Sequence, residues 1–210
     1  GLPVVYLPLI GNGGKSDTSA KEEYFSGLWS FEGKYLSFCS YESDPLRLVL
    51  KSDNPASQNR VFPLVDMQGV PLGSKRQLRL RGYCSAQEVL CILDMDEKEG
   101  KAEIGVLKLE NGKAILTSTH SITLPKDYMA VMALSPNGKM LVWDFGKYVH
   151  DPDAMLRELW VSQYDGSDMR LLWKGKIDDR LDEKEEARWL PDNSAITFLF
   201  QGSFYKISVK

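Results

Sequence analysis

Apolar residues in this chain come in short runs, each bounded by Gly, Asn, Asp, Pro or Ser. A recurring polar turn sets the frame. Ser135-Pro136-Asn137-Gly138-Lys139 is matched closely by Ser30-Phe31-Glu32-Gly33-Lys34 and more loosely by Leu190-Pro191-Asp192-Asn193-Ser194. Ser85-Ala86-Gln87-Glu88 is a degenerate copy, one residue short. These anchors begin at 30, 85, 135 and 190, so they are spaced by 55, 50 and 55 residues. An apolar run precedes each anchor ("SGLW", "RLRGYC", "AVMAL", "EARWL"). Another follows it ("KYLSFCS", "EVLCIL", "KMLVWDF", "AITFLF"). A third comes next ("PLRLVLK", "AEIGVLKL", "RELWVSQY", "SFYKISV"), and a fourth closes the first three units ("RVFPLV", "AILTS", "MRLLW"). Runs of this length, rich in β-branched and aromatic residues and separated by turn formers, predict strands.

The pattern therefore predicts an all-β chain of repeated four-stranded antiparallel sheets. A lone sheet of this kind cannot bury both faces, and stacking the sheets around an axis buries them. The expected fold is a β-propeller of about four blades in a single domain over 1–210. Its units run over approximately 27–65, 78–119, 129–173 and 186–209. The fourth unit stops after its third strand. The N-terminal "PVVYLPLI" has fourth-strand character, so residues 3–10 are expected to complete the last blade and remove an exposed edge. The competing expectation is that the four units are part of a larger ring.

Composition changes this picture little but excludes several classes. The chain has 210 residues, a formal net charge of −3 and 26% charged residues of interspersed sign. No basic block appears, which argues against a nucleic-acid partner. No apolar run is long enough to span a bilayer as a helix. Cys39, Cys84 and Cys91 form no disulfide framework; they read as buried free thiols, although Cys84 and Cys91 flank a short turn and could face each other across it. All five tryptophans fall in expected strands. Trp29 and Trp189 hold equivalent places just before an anchor, which points to a repeated packing role.

Ser-Pro-Asn-Gly-Lys followed by an apolar strand and then "ELWVSQYDGSDMRLL" resembles the TolB-like and WD-like propeller repeats. These occur in bacterial periplasmic TolB and in the propellers of the prolyl-oligopeptidase and dipeptidyl-peptidase families. The resemblance is best over 129–173, fair over 27–65 and 186–209, and weak in the second unit. It identifies a repeat type and carries no catalytic residue across. It implies a bacterial, exported protein, periplasmic or extracellular. The separate N-terminal α/β domain of TolB and the hydrolase domain of the peptidases have no counterpart in the sequence.

Chemistry-bearing motifs are sparse. No Gly-x-Ser-x-Gly elbow occurs, and the two histidines, His120 and His150, are expected in loops. "GNGGKSD" (11–17) lacks phosphate-loop spacing. The acidic stretches "DMDEKEGKAE" (94–103) and "DDRLDEKEE" (178–186) read as a charged hairpin loop and a solvated linker. Asp94 and Asp96 make Ca²⁺ a candidate cation for the first, and no other cofactor is implied. "YVHDPDAMLREL" (148–159) reads as the largest excursion within a unit. Loops on rigid scaffolds are where binding usually resides, so Tyr148, His150, Asp151, Asp153 and Arg157 are the candidate binding residues. The leading expectation is a non-catalytic scaffold that engages a protein or peptide through one rim and the 148–158 loop, monomeric if the ring is closed. The alternatives are a small ligand, glycan or cation at the central opening, or a hydrolase or lyase using channel carboxylates.

Overall fold

The computed structural model describes residues 28–30, 32–40, 45–52, 54, 57–73, 78–149, 154–178 and 186–209. These residues form strands joined by turns and irregular connections, and no helix occurs among them. The first unit contains β1 (Leu28–Trp29), β2 (Tyr35–Ser40), β3 (Arg47–Ser52) and β4 (Arg60–Val65). The second contains β5 (Arg79–Ser85), β6 (Glu88–Asp96), β7 (Lys101–Glu110) and β8 (Lys113–Thr123). The third contains β9 (Met129–Leu134), β10 (Met140–Tyr148), β11 (Ala154–Gln163) and β12 (Arg170–Asp178). The fourth contains β13 (Arg188–Trp189), β14 (Ala195–Phe200) and β15 (Ser203–Ser208). Within each unit, neighbouring strands pair antiparallel in chain order.

The anchor turns are structural equivalents. In units one, three and four the anchor residue's N–H donates to the carbonyl five residues on, in the pairs Ser30–Tyr35, Ser135–Met140 and Leu190–Ala195. The N–H three residues on returns to the anchor carbonyl, from Gly33, Gly138 and Asn193. Those three residues all take positive φ, at 71°, 72° and 61°. Gly and Asn tolerate that left-handed geometry best, which explains their recurrence at this position. Unit two, with the shortened anchor, instead turns through Ala86 and Gln87 and shifts register between Tyr83 and Ser85.

Successive units stack face to face through three apolar clusters. Cys39, Leu48, Leu50, Phe62 and Leu64 pack on Leu80, Val89, Cys91 and Leu107. Leu90, Ile92, Ile104 and Val106 pack on Met132, Leu141, Trp143 and Phe145. Val142, Leu159 and Val161 pack on Ile196 and Phe198. Side chains alternate across a strand, so a doubly covered strand sends each parity to a different core. In β6, Val89, Cys91 and Leu93 enter the first cluster, while Leu90 and Ile92 enter the second. In β10, Leu141, Trp143 and Phe145 enter the second, while Val142 enters the third. Each such buried Leu, Ile or Phe contributes roughly 1.5–3 kcal/mol.

The first strands of consecutive units touch one another: β1 meets β5, β5 meets β9, and β9 meets β13. Stacked meanders with their first strands on the inside are arranged as successive propeller blades are. One feature departs from independent blades. The outer strands β4 and β8 pair in parallel at Leu64–Ala114 and Val65–Ile115, which fuses the first two units into one eight-stranded sheet. Residues 3–10, expected to close the last unit, lie outside the described residues.

Several sequence expectations are corrected. The third strand of unit three begins at Ala154 rather than Arg157, and the fourth strand of unit two runs to Thr123 rather than Ser118. His120 therefore sits in β8, paired with Ile104, not in a loop. Cys84 and Cys91 do not face each other, since Cys91 joins the first cluster and Cys84 packs against the second. All three cysteines are free. Burial raises their thiols, Cys39 to about 12 and Cys84 to about 11, and Cys91 in the same direction.

Candidate functional site

Antiparallel units of this kind present two rims. One carries the anchor turns and the turns between third and fourth strands. The other carries the connections between second and third strands and those between units. The predicted 148–158 excursion belongs to the second rim, and it is shorter than expected. β10 and β11 pair in continuous register from Met140–Gln163 to Tyr148–Met155, which leaves only 149–153 as connection. The alternation of "AMLRELWV" carries the strand outward: Ala154, Arg157, Leu159 and Val161 are buried. Val149 N–H reaches the Ala154 carbonyl at 3.3 Å across the base of this connection. The backbone of Tyr148 thus ends β10, while His150, Asp151 and Asp153 lie outside the described residues.

Arg157 is corrected from a rim contact to an interior tie. It is 4% exposed. Its guanidinium donates from Nε to Asp144 Oδ1 at 2.9 Å and from Nη2 to Asp144 Oδ2 at 2.6 Å. Nη1 donates to the Leu199 carbonyl at 2.6 Å, and the group lies 5.6 Å from the Phe198 ring centre. The Ala187 N–H in turn donates to Asp144 Oδ2 at 3.0 Å. A bidentate, charge-assisted pair of this geometry is strong and directional. It ties the third unit to the fourth near the ends of β10 and β11. Asp144 was not singled out in the sequence; the available signal was an acid between two core aromatics, Trp143 and Phe145.

From that end of β10 and β11 inward, the boundary with the second unit carries an aromatic and charged group that sequence reading missed. Tyr128 donates its hydroxyl to Glu158 Oε1 at 3.3 Å, and Trp160 donates Nε1 to Glu158 Oε2 at 2.8 Å. Lys147 lies 5.5 Å from the Tyr128 ring centre and 3.5 Å from Asp127 Oδ2. Burial and the neighbouring Glu158 carboxylate raise the Tyr128 phenol above its ordinary value. These residues are far apart in sequence, in β10, in β11 and in the link before β9, so only the strand register assembles them.

The acidic hairpin at 94–103 uses its carboxylates locally. Asp96 Oδ1 accepts from the N–H groups of Lys98 and Glu99 at 3.0 Å each, and Asp94 Oδ1 accepts from Met95 N–H at 2.9 Å. Among the described residues no group of three His, Cys, Asp or Glu side chains is placed to hold a metal ion. All five tryptophans lie in strands. Trp189 is half-buried and donates Nε1 to the Ala133 carbonyl at 3.1 Å, linking the fourth unit to the third.

On the opposite rim a cavity of about 290 Å³ opens between the first two units. Its walls include Tyr35, Arg60, Phe62, Tyr83, Gln87 and Asn111. The Tyr83 hydroxyl is hydrogen-bonded to Ser37 Oγ. The Arg60 guanidinium lies 5.2 Å from the Phe62 ring centre and 5.9 Å from that of Tyr35.

The sequence matches no family model, and no curated protein is significantly similar to it. Among solved structures it is similar to TolB from Acinetobacter baumannii, at 10% identity over 90% of this chain and 55% of that one, with a TM-score of 0.40. It is also similar to a putative TolB from Agrobacterium tumefaciens, at 18% identity over 90% and 60%, with a TM-score of 0.43. A third is the Cps50 (Swd1) β-propeller domain of Myceliophteria thermophila, at 12% identity over 85% and 68%, with a TM-score of 0.38. The chain spans about half to two thirds of the length of these structures. With each TM-score below 0.5, the propeller-like arrangement rests on strand order and packing.

Proposed function

We propose that this chain is a non-catalytic propeller scaffold that binds a protein or peptide through the rim carrying the 149–153 connection. The supporting observation is the clustering of Tyr128, Lys147 and Glu158 toward that rim, with Trp160 packed beneath them. Aromatic side chains with hydrogen-bonding tips, flanked by charges of both signs, are well suited to a protein interface. On the other face of the third sheet, the Asp144–Arg157 pair ties β10 and β11 to the fourth unit, and strands fixed in this way lower the cost of ordering the surface on binding. Tyr148, His150, Asp151 and Asp153 complete the contact surface in this reading, with Arg157 as the positioning residue beneath.

In the same reading the four units form a ring closed by residues 3–10, and the protein works in the periplasm or outside the cell. A monomer of 23.7 kDa in sedimentation is the expected result for a closed ring. A larger homogeneous species would favour a bigger ring.

The binding reading is tested by affinity capture from lysate of the source organism. The purified chain is compared with a variant carrying His150→Ala, Asp151→Ala and Asp153→Ala. A near-stoichiometric protein held by the parent and lost by the variant is expected. A capture that is empty, or unchanged in the variant, would overturn it.

A further inference from the structure

The cavity between the first two units is on the rim opposite the proposed protein-binding surface, and its chemistry differs. Among the described residues three charged side chains line it: Glu32, Arg60 and Glu110. Both carboxylates already have a cation beside them, Glu32 with Lys34 at 3.0 Å and Glu110 with Lys108 at 2.9 Å. Arg60 has no carboxylate partner among the described residues. Its charge is held instead over the Phe62 and Tyr35 rings. Stacking on rings engages the faces of a guanidinium and leaves its N–H edges available. Those edges form a planar fork that matches two oxygens of a carboxylate or phosphate. Gln87 and Asn111 add neutral donors and acceptors to the same walls. Phe62 and Tyr83 supply apolar surface.

From this geometry we infer that the cavity binds a small organic anion, a carboxylate or phosphomonoester with a compact apolar body, with Arg60 clamping the anionic group. The volume of about 290 Å³ lies at the lower end of ligand pockets, so it limits the ligand to the size of a small metabolite. Arg60 sits at the start of β4, and β4 is fixed on one side by β3 and on the other by its parallel pairing with β8. The parallel pairing is at Leu64 and Val65, the far end of β4, so the fork is presented from a strand that the seam between two units anchors. Independent blades would lack that seam.

The test is a titration of the full chain, followed by ¹H–¹⁵N NMR, with phenyl phosphate, benzoate and neutral benzyl alcohol. Saturable shifts of the Arg60 Nε–H and of the Gln87, Asn111 and Gly112 amides are expected with at least one anion. Whichever anion binds more tightly identifies the phosphate or the carboxylate as the natural head group. Benzyl alcohol is expected to give no saturation. Arg60→Gln should weaken binding about tenfold or more, since it removes a charge-assisted fork. Arg60→Lys should fall between, because it keeps charge and loses planarity. Arg47→Gln, an exposed change at the other end of the same sheet, should leave binding unchanged. Thermal melts alongside separate lost binding from lost fold. Three outcomes would overturn the inference: no saturable response to either anion, a folded Arg60→Gln chain that binds like the parent, or benzyl alcohol binding as tightly as benzoate.

Discussion

Two arginines in this molecule lie between stacked units, each over an aromatic ring, and they do opposite work. Arg157 sits 5.6 Å from Phe198 at the boundary of the third and fourth units, and Arg60 sits 5.2 Å from Phe62 at the boundary of the first and second. Arg157 is buried and gives its N–H groups to Asp144 and the Leu199 carbonyl. Arg60 is exposed and gives none to a carboxylate among the described residues. The residue type and the aromatic neighbour are shared, so they do not set the role. What differs is whether the register supplies an acid. Asp144 faces the guanidinium from the adjacent strand, whereas among the described residues no acid is paired with Arg60. A satisfied cation builds structure, and an unsatisfied one at a cavity mouth is available to a ligand.

The largest expected effect comes from breaking the buried pair. Asp144→Ala should cost about 3–5 kcal/mol, because it strands a buried charge. Replacing both partners, as Asp144→Leu with Arg157→Met, should recover most of that loss, and urea denaturation measures both. If the single change cost less than about 1 kcal/mol, Arg157 would be a surface-like arginine after all and the contrast would collapse.

The anchor turn offers the next test. Gly138 has φ 72°, and a Cβ there would lie 2.6 Å from the Cys84 carbonyl oxygen. Gly112 has φ 73° with nothing within 4 Å. Gly138→Ala should therefore cost about 2–4 kcal/mol and Gly112→Ala about 1 kcal/mol, with the difference measuring inter-unit contact rather than backbone strain. Trp189→Phe, which removes the hydrogen bond to Ala133, should cost about 1 kcal/mol and loosen the same side of the molecule that Arg157 ties.

The thiols sharpen the comparison through pH. Folding raises Cys39 from 9.0 to about 12 and Cys84 to about 11. A raised thiol contributes stability that is fully present below pH 9 and declines as pH climbs toward those folded values, because the unfolded chain ionises first. Denaturation midpoints should be insensitive to this group of residues below pH 8 and fall above pH 9, and Cys39→Ala, Cys84→Ala and Cys91→Ala together should flatten that fall. The smallest effect is expected for Arg60→Gln, within about 0.5 kcal/mol of the parent in stability, as for an exposed residue outside the core.

Much of the fold was legible because it is local. The Ser-x-x-Gly spacing marked turns whose hydrogen bonds span five residues, and short apolar runs between turn formers marked strands. The length of β11 was misjudged because Ala154–Leu156 gains strand structure only from register with β10. The fusion of the first two units through β4 and β8 left no local trace, because two strands more than 40 residues apart meet edge to edge. The candidate site divided in the same way. Arg157 was visible as a charged residue near an apparent loop, but its burial depends on Asp144, Ala187 and Leu199, which three separate segments supply.

The sequence by itself determined the repeat, the order of strands and the turn chemistry, since those follow from local steric preference. Tertiary structure alone decided which arginine is neutralised, how Tyr128, Lys147, Glu158 and Trp160 come together, and where a cavity stays open. Those outcomes depend on distances between units, and a residue's charge, exposure and partners are fixed only when its neighbours in space are known.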